Sequence, residues 1–148
     1  MSKEDILATI RDTLGDSVVD VYEKNPRRSY VEVKPEAVPR ATELIFRQLG
    51  GRFQIATGVD TPDAIEILYH WAFDRHGIIV TVRTKLDRDK PEIESLASIC
   101  VATEWIEREM WELLGITFRN HPDLRHLLLA DEWPKGKYPL RRDYVKDN

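Results

Sequence analysis

The sequence is poor in the residues from which electron carriers are built. Its 148 residues include one cysteine, Cys100. That excludes an internal disulfide and any thiolate-rich metal or iron–sulfur site. Long apolar runs are missing too. Gly77–Val82 and Leu127–Ala130 are the longest nearly apolar stretches, far short of the roughly 20 residues that span a bilayer. Positive charge is not in excess: 22 Lys and Arg against 26 Asp and Glu give a formal net charge of −4. The basic footprint of a nucleic-acid binder is therefore absent. Gly50-Gly51 lacks the further Gly and Lys of a phosphate loop. The charged start Met1-Ser2-Lys3-Glu4-Asp5 leads into an amphipathic segment, not an apolar signal core. Together these absences predict a soluble protein of a reducing compartment, without direct membrane insertion.

What is present suffices for one domain. The chain is 42% hydrophobic, and a domain of this length buries about two-thirds of its surface. Ile6, Leu7, Ile10 and Leu14 form a helical stripe over residues 3–14, with Ser2 as N-cap, Asp5 three residues on and Gly15 as the stop. Val18–Tyr22 and Ser29–Val33 are β-branched and aromatic runs around Asn25-Pro26, which predicts a hairpin. Pro35 opens a second helix that ends at Gly50-Gly51. Phe53, Ile55, Thr57 and Val59 alternate, and Ile65, Ile67, Tyr69, Trp71 and Phe73 alternate more strictly. With the strand at Ile78–Thr84 these segments predict an antiparallel meander. The order α-β-β-α-β-β-β predicts a two-layer α+β domain with helices on one sheet face. Residues 93–115 read as helical, in one or two pieces. A platform over residues 1–115 and an extended tail over 116–148 are therefore expected. The tail carries seven Lys or Arg against five Asp or Glu.

A search for an active site among these residues is mostly negative. Cys100 sits in the apolar run Ile99-Cys100-Val101-Ala102 and reads as a buried small hydrophobe. His70 and His76 read as solvated or hydrogen-bonded histidines of a strand and a turn. His121, Asp123 and His126 have the residue types of a zinc site with an open position, the alternatives being a small metal-dependent hydrolase that uses them or a free-standing adaptor. The plainer reading is a turn at His121-Pro122-Asp123 that starts a short helical segment, with Asp123 bonding local amides. Glu104, Arg108 and Glu112 share one helix face. By pattern alone they read as a solvated face with ion pairs of about 0.3–0.5 kcal/mol each. The tail holds Phe118, Leu124, Leu127, Leu128, Leu129, Trp133, Tyr138, Leu140 and Tyr144 in irregular chain. So many large apolar groups predict packing on the chain's own domain or on a partner.

Three blocks carry a specific resemblance: Glu107-Arg108-Glu109-Met110-Trp111-Glu112-Leu113-Leu114-Gly115-Ile116-Thr117-Phe118, then His121-Pro122-Asp123-Leu124-Arg125, then Pro139-Leu140-Arg141-Arg142-Asp143-Tyr144. In this order they resemble the signature of the 30 kDa subunit of respiratory complex I, a family that includes its counterpart in the bacterial NADH-quinone oxidoreductase. Relatives occur in energy-converting membrane-bound hydrogenases, deazaflavin dehydrogenases and formate hydrogenlyases. Trp111, Glu112 and Leu114 depart conservatively from the family's usual Tyr, Asp and Phe. The chain also ends soon after Tyr144, which leans toward a compact archaeal or hydrogenase-type relative.

The resemblance implies no catalysis in this chain. It implies no cofactor here, with iron–sulfur clusters, flavin or nickel–iron in other subunits. The implied partners are a hydrogenase-like large subunit (49 kDa-type) and a cluster-bearing small subunit. The implied location is cytoplasmic, peripheral to the inner face of the cell membrane. The residues of the blocks from Glu107 to Glu109, His121 to Arg125 and Pro139 to Tyr144 are the expected partner-binding set. Arg125, Arg141 and Arg142 are expected to meet carboxylates. Leu124, Leu140 and Tyr144 are expected as apolar anchors.

Overall fold

The computed structural model describes residues 1–146. Asp147 and Asn148, the last two positions of the expected tail, lie outside the described residues. Helix α1 spans Lys3–Leu14. Its first turn is closed by a capping box: the Ser2 hydroxyl accepts from the Asp5 amide at 3.1 Å, and the Ser2 amide donates to the Asp5 carboxylate at 2.7 Å. The predicted stripe, Ile6, Leu7, Ile10 and Leu14, is the buried face.

Strands β1 (Val18–Asn25) and β2 (Arg28–Val33) form the expected hairpin. The second helix begins as a 3₁₀ turn at Pro35–Ala37, continues as α2 over Val38–Thr42, and widens into a π-helical turn at Glu43–Gln48. Strands β3 (Arg52–Asp60), β4 (Ile65–Phe73) and β5 (Ile78–Leu86) make the antiparallel meander. The five strands lie in the order β1-β2-β5-β4-β3, so the hairpin joins the meander through a parallel β2–β5 pairing. The crossover from β2 to β3 carries the second helix over one face.

Period-2 alternation decides which face is covered. Ile65, Ile67, Tyr69, Trp71 and Phe73 of β4 are buried, as are Val80 and Val82 of β5 and Val31 and Val33 of β2. Trp71 meets Phe53 edge-on at 5.2 Å and Phe46 of the π-helical turn at 6.2 Å. Burying side chains of this size contributes about 1.5–3 kcal/mol each. The opposite face bears ion pairs such as Arg83–Glu66 at 2.7 Å and Lys85–Glu32 at 3.4 Å.

The region after β5 differs from the sequence-based expectation. Its helix, α3, covers only Glu104–Leu114, preceded by a 3₁₀ turn at Val101–Thr103. Glu92–Glu94 is instead a short strand, β6, paired in parallel with β7 at Thr117–Arg119. The local apolar pattern is overridden by pairing with a segment some 25 residues away, together with the turn that Ser95–Cys100 makes beneath α3. Gly115, at φ 75°, ends α3 in the left-handed region where a glycine is favoured.

Candidate functional site

Helix α3 sits over the β3 edge of the sheet. A Cβ placed on Gly58 would collide with Leu114 Cδ1, so strand and helix are in close contact there. Arg108 and Glu112 are buried, as is Glu107 beside them, while Glu104 is half-buried, which corrects the expectation of a solvated face formed by Glu104, Arg108 and Glu112 with intrahelical ion pairs. Each of the three buried residues reaches away from its own helix.

Glu107 turns toward the loop before α3. One carboxylate oxygen accepts from the Leu96 amide at 2.9 Å, the Thr103 hydroxyl at 3.0 Å and the Ser95 hydroxyl at 3.3 Å. The other oxygen has no hydrogen-bond partner among the described residues, and neither has the buried Tyr69 hydroxyl. Burial pushes the Glu107 carboxyl above its ordinary value, against the opposing pull of those donors. Burial, reinforced by the Glu107 charge, likewise holds the Tyr69 phenol well above its usual range. Glu107 is completely shielded from solvent, and its bonded oxygen ties α3 to the segment Ser95–Thr103.

Arg108 and Glu112, one turn apart, grip the tail from opposite signs. The Arg108 guanidinium donates to the carbonyls of Arg125 (3.0 Å) and His126 (2.6 Å). The Glu112 carboxylate accepts from the amides of Leu127, Leu128 and Leu129 at 3.0, 2.6 and 3.3 Å, and from His126 Nδ1 at 3.0 Å. Burial raises the Glu112 pKa, but this nest of donors outweighs it and holds the carboxyl below its ordinary value. The irregular segment 125–129 thus has a helix face as its hydrogen-bonding partner.

The second block is locked differently. His121 Nε2 donates to the Glu104 carbonyl at 2.9 Å, while its Nδ1 accepts from the Asp123 amide at 3.0 Å. Both ring nitrogens are engaged, and the geometry selects the tautomer with the proton on Nε2. The Asp123 carboxylate accepts from Arg125 at 2.8 Å. His121, Asp123 and His126 do not converge, and no group of three or more His, Cys, Asp or Glu placed to hold a metal ion exists among the described residues. The segment at His121–Asp123 also forms no helical turn, correcting that expectation. Cys100 is buried, and burial raises its thiol pKa. His70 bonds Thr81 at 2.8 Å across the open sheet face.

The third block closes over the end of α3. The Leu140 amide donates to the Leu113 carbonyl at 3.0 Å, and the Arg141 guanidinium donates to the Leu114 carbonyl. The Arg141 guanidinium also lies 5.6 Å from the centre of the Tyr138 ring. The Arg142 amide donates to the Asp60 carboxylate at 2.7 Å, and that carboxylate is also paired with Arg88. Tyr144 stacks with Trp133 at 6.4 Å. Arg141 is therefore turned inward. Pro122, Arg125, Leu140, Arg142 and Asp143 are exposed, whereas Glu109, Leu124, Pro139 and Tyr144 are half-buried. Sequence reasoning did not single out Asp60 or Arg88, and it gave Glu112 no role in the site. The available signals for Glu112 were its place in the signature block and its position one turn beyond Arg108.

Residues 31–148 match the family model described as "Respiratory-chain NADH dehydrogenase, 30 Kd subunit". Among curated proteins, the chain is 46% identical over 90 residues to a subunit of the F(420)H(2) dehydrogenase of Methanosarcina mazei, covering 60% of this chain and 56% of that protein. It is 33% identical over 141 residues to a subunit of the NADH-quinone oxidoreductase of Chloroherpeton thalassium, covering 91% of this chain and 58% of that protein. The chain thus spans a little over half the length of these two relatives. Among solved structures, it is similar in fold to a chain of the membrane-bound sulfane sulfur reductase, an archaeal respiratory membrane complex. There the TM-score is 0.80 at 23% identity, with 96% of this chain and 85% of that one covered.

Proposed function

The chain belongs to the family of the respiratory-chain NADH dehydrogenase 30 kDa subunit, and from that premise we propose that it is a cofactor-free assembly subunit of a membrane-associated oxidoreductase complex. It docks beside a hydrogenase-like large subunit, near a cluster-bearing small subunit. It lies peripheral to the membrane on the cytoplasmic side, held there by other subunits. No helix among the described residues is long and apolar enough to cross a membrane, which suits attachment of that kind. Electron transfer would belong to the neighbours, since one buried thiol supplies no cluster ligation.

The observation that carries this reading is the use made of the signature helix. Arg108 and Glu112 direct their charges at the backbone of residues 125–129. The helix therefore works as a former for an irregular surface, not as a reaction centre. What it presents outward is Arg125, Leu128, Leu140 and Arg142, a mixture of cations and aliphatic anchors suited to a protein partner. The division between a platform over residues 1–115 and a docking tail over 116–148 follows as part of the same proposal.

The test is co-purification of the full chain with the other subunits of its complex. Arg125→Glu combined with Arg142→Glu should leave the unfolding free energy of the free chain unchanged within about 0.5 kcal/mol, while recovery of the complex falls. Undiminished recovery would show that the tail face is not the dock.

A further inference from the structure

The two edges of the five-stranded sheet are finished differently. Edge strand β1 has irregular register near both ends, between Val18 and Asp20 and between Glu23 and Asn25. It carries Asp20, Glu23 and Lys24, and Lys3 of α1 reaches across to Glu23 at 2.7 Å. Bulges and charge of this kind blunt an edge against further pairing. Edge strand β3 has one irregularity, between Phe53 and Ile55, and then runs in unbroken register from Ile55 to Asp60. No Pro or Lys interrupts it. Ile55, Thr57 and Val59 project from its uncovered face, with Ile55 47% and Val59 37% exposed. Such an edge is a template for another strand.

Helix α3 overhangs this edge and, with it, encloses a groove of about 320 Å³. The helix and tail side is formed by Ile106, Glu109, Met110, Leu113 and Leu140. Glu109 has no ion pair or hydrogen bond among the described residues, although every other acidic side chain of α3 except Glu104 is bonded. A strand added beside β3 would extend the row Ile55–Thr57–Val59 on one face. On its other face, side chains two residues apart would enter the groove, and a cation there would neutralise Glu109.

We propose that the β3 edge and the α3 overhang together form a strand-acceptor site, filled in the assembled complex by an extended apolar segment of a partner subunit that carries a Lys or Arg opposite Glu109. The proposal rests on the subunit reading above and names a second contact surface apart from Arg125 and Arg142. The partner's backbone supplies affinity by continuing the sheet. The groove selects apolar side chains, and Glu109 sets register through charge.

The experiment compares amide hydrogen exchange of Arg52–Asp60 in the free chain and in the co-purified complex. The amides of β3 that point away from β4 should exchange on the order of tenfold or more slowly in the complex. Ile55→Lys with Val59→Lys, and separately Glu109→Lys, should reduce recovery of the complex while the free chain melts as the parent does. Glu109→Gln should retain more recovery than Glu109→Lys. A complex that forms with β3 exchange unchanged overturns the strand-acceptor proposal and leaves the subunit reading standing. Concentration-dependent protection of β3 in the free chain alone would instead identify a second copy as the occupant and also overturn it. Failure of any complex to form removes the subunit reading and the proposal with it.

Discussion

Glu107 and Glu112 lie five residues apart on one helix and are displaced in opposite directions. Burial dominates at Glu107 and raises its pKa, and one of its oxygens lacks a partner. At Glu112 burial is outweighed by three amides and an imidazole, and the pKa falls. The consequences for stability have opposite signs. The folded state binds the Glu107 proton more tightly than the unfolded chain does. Its contribution is full below the ordinary glutamate pKa and is lost as pH rises through the raised value. The Glu112 contribution is present above the ordinary value and is lost as pH falls through the lowered one. Glu107→Gln should therefore flatten the loss of stability above the ordinary carboxylate range and cost little at neutral pH. Glu112→Gln should remove the loss on the acid side and cost about 2–3 kcal/mol at neutral pH, because amides bonded to a carboxylate lose a charged acceptor. Urea melts across pH 3 to 8, roughly the span in which carboxylates titrate, check both. Equal slopes in the two variants would contradict the assignment.

At the scale of elements, the first 86 residues could be read from periodicity, because one buried sheet face and one stripe per helix impose clean patterns. Ile65, Ile67, Tyr69, Trp71 and Phe73 alternate because every second residue meets the helices. The parallel join between β2 and β5 left no local mark, since parallel and antiparallel pairing use the same alternation. The helix expected from residue 93 begins at Glu104 because Ile93 is claimed by Phe118 across the β6–β7 pair. The block containing Glu107, Arg108 and Glu112 could be recognised as a signature. That its charges serve backbone groups 11 to 18 residues away depended on the tertiary path of the loop before α3 and of the tail after it. The junction at Gly115 tests how tightly helix and tail are joined. A Cβ there would lie 2.6 Å from the Tyr138 ring, and φ is 75°. Gly115→Ala should cost roughly 1–2 kcal/mol for the left-handed backbone and about 1–3 kcal/mol for the overlap. Adding Tyr138→Ala should recover only the second part. Denaturant melts of the two single variants and the double variant yield the coupling, and strict additivity would mean that Tyr138 does not rest on Gly115.

For the molecule as a whole, the tail is tied to the sheet at one carboxylate. Asp60 ends edge strand β3, and its side chain is only 3% exposed. It accepts from the Arg88 guanidinium in the loop after β5 and from the Arg142 amide in the tail. Three distant parts of the chain therefore meet at one charge, beside Leu140, which borders the groove under α3. The tail consequently presents Leu140 and Arg142 from a fixed backbone, and a partner would lose less ordering entropy on binding than it would with a loose end. Asp60→Asn keeps the shape and removes the charge that Arg88 needs, a change expected to cost about 1–3 kcal/mol. Its specific mark should be in the tail. Trypsin cleavage after Arg141 and Arg142 should accelerate under native conditions, while cleavage after Arg11 in α1 stays at the parental rate. Arg88→Met should act in the same direction, since it leaves Asp60 without its cation. Unchanged cleavage after Arg142 in both variants would mean that Tyr138 on Gly115 and the Leu140–Leu113 hydrogen bond hold the tail without help from Asp60.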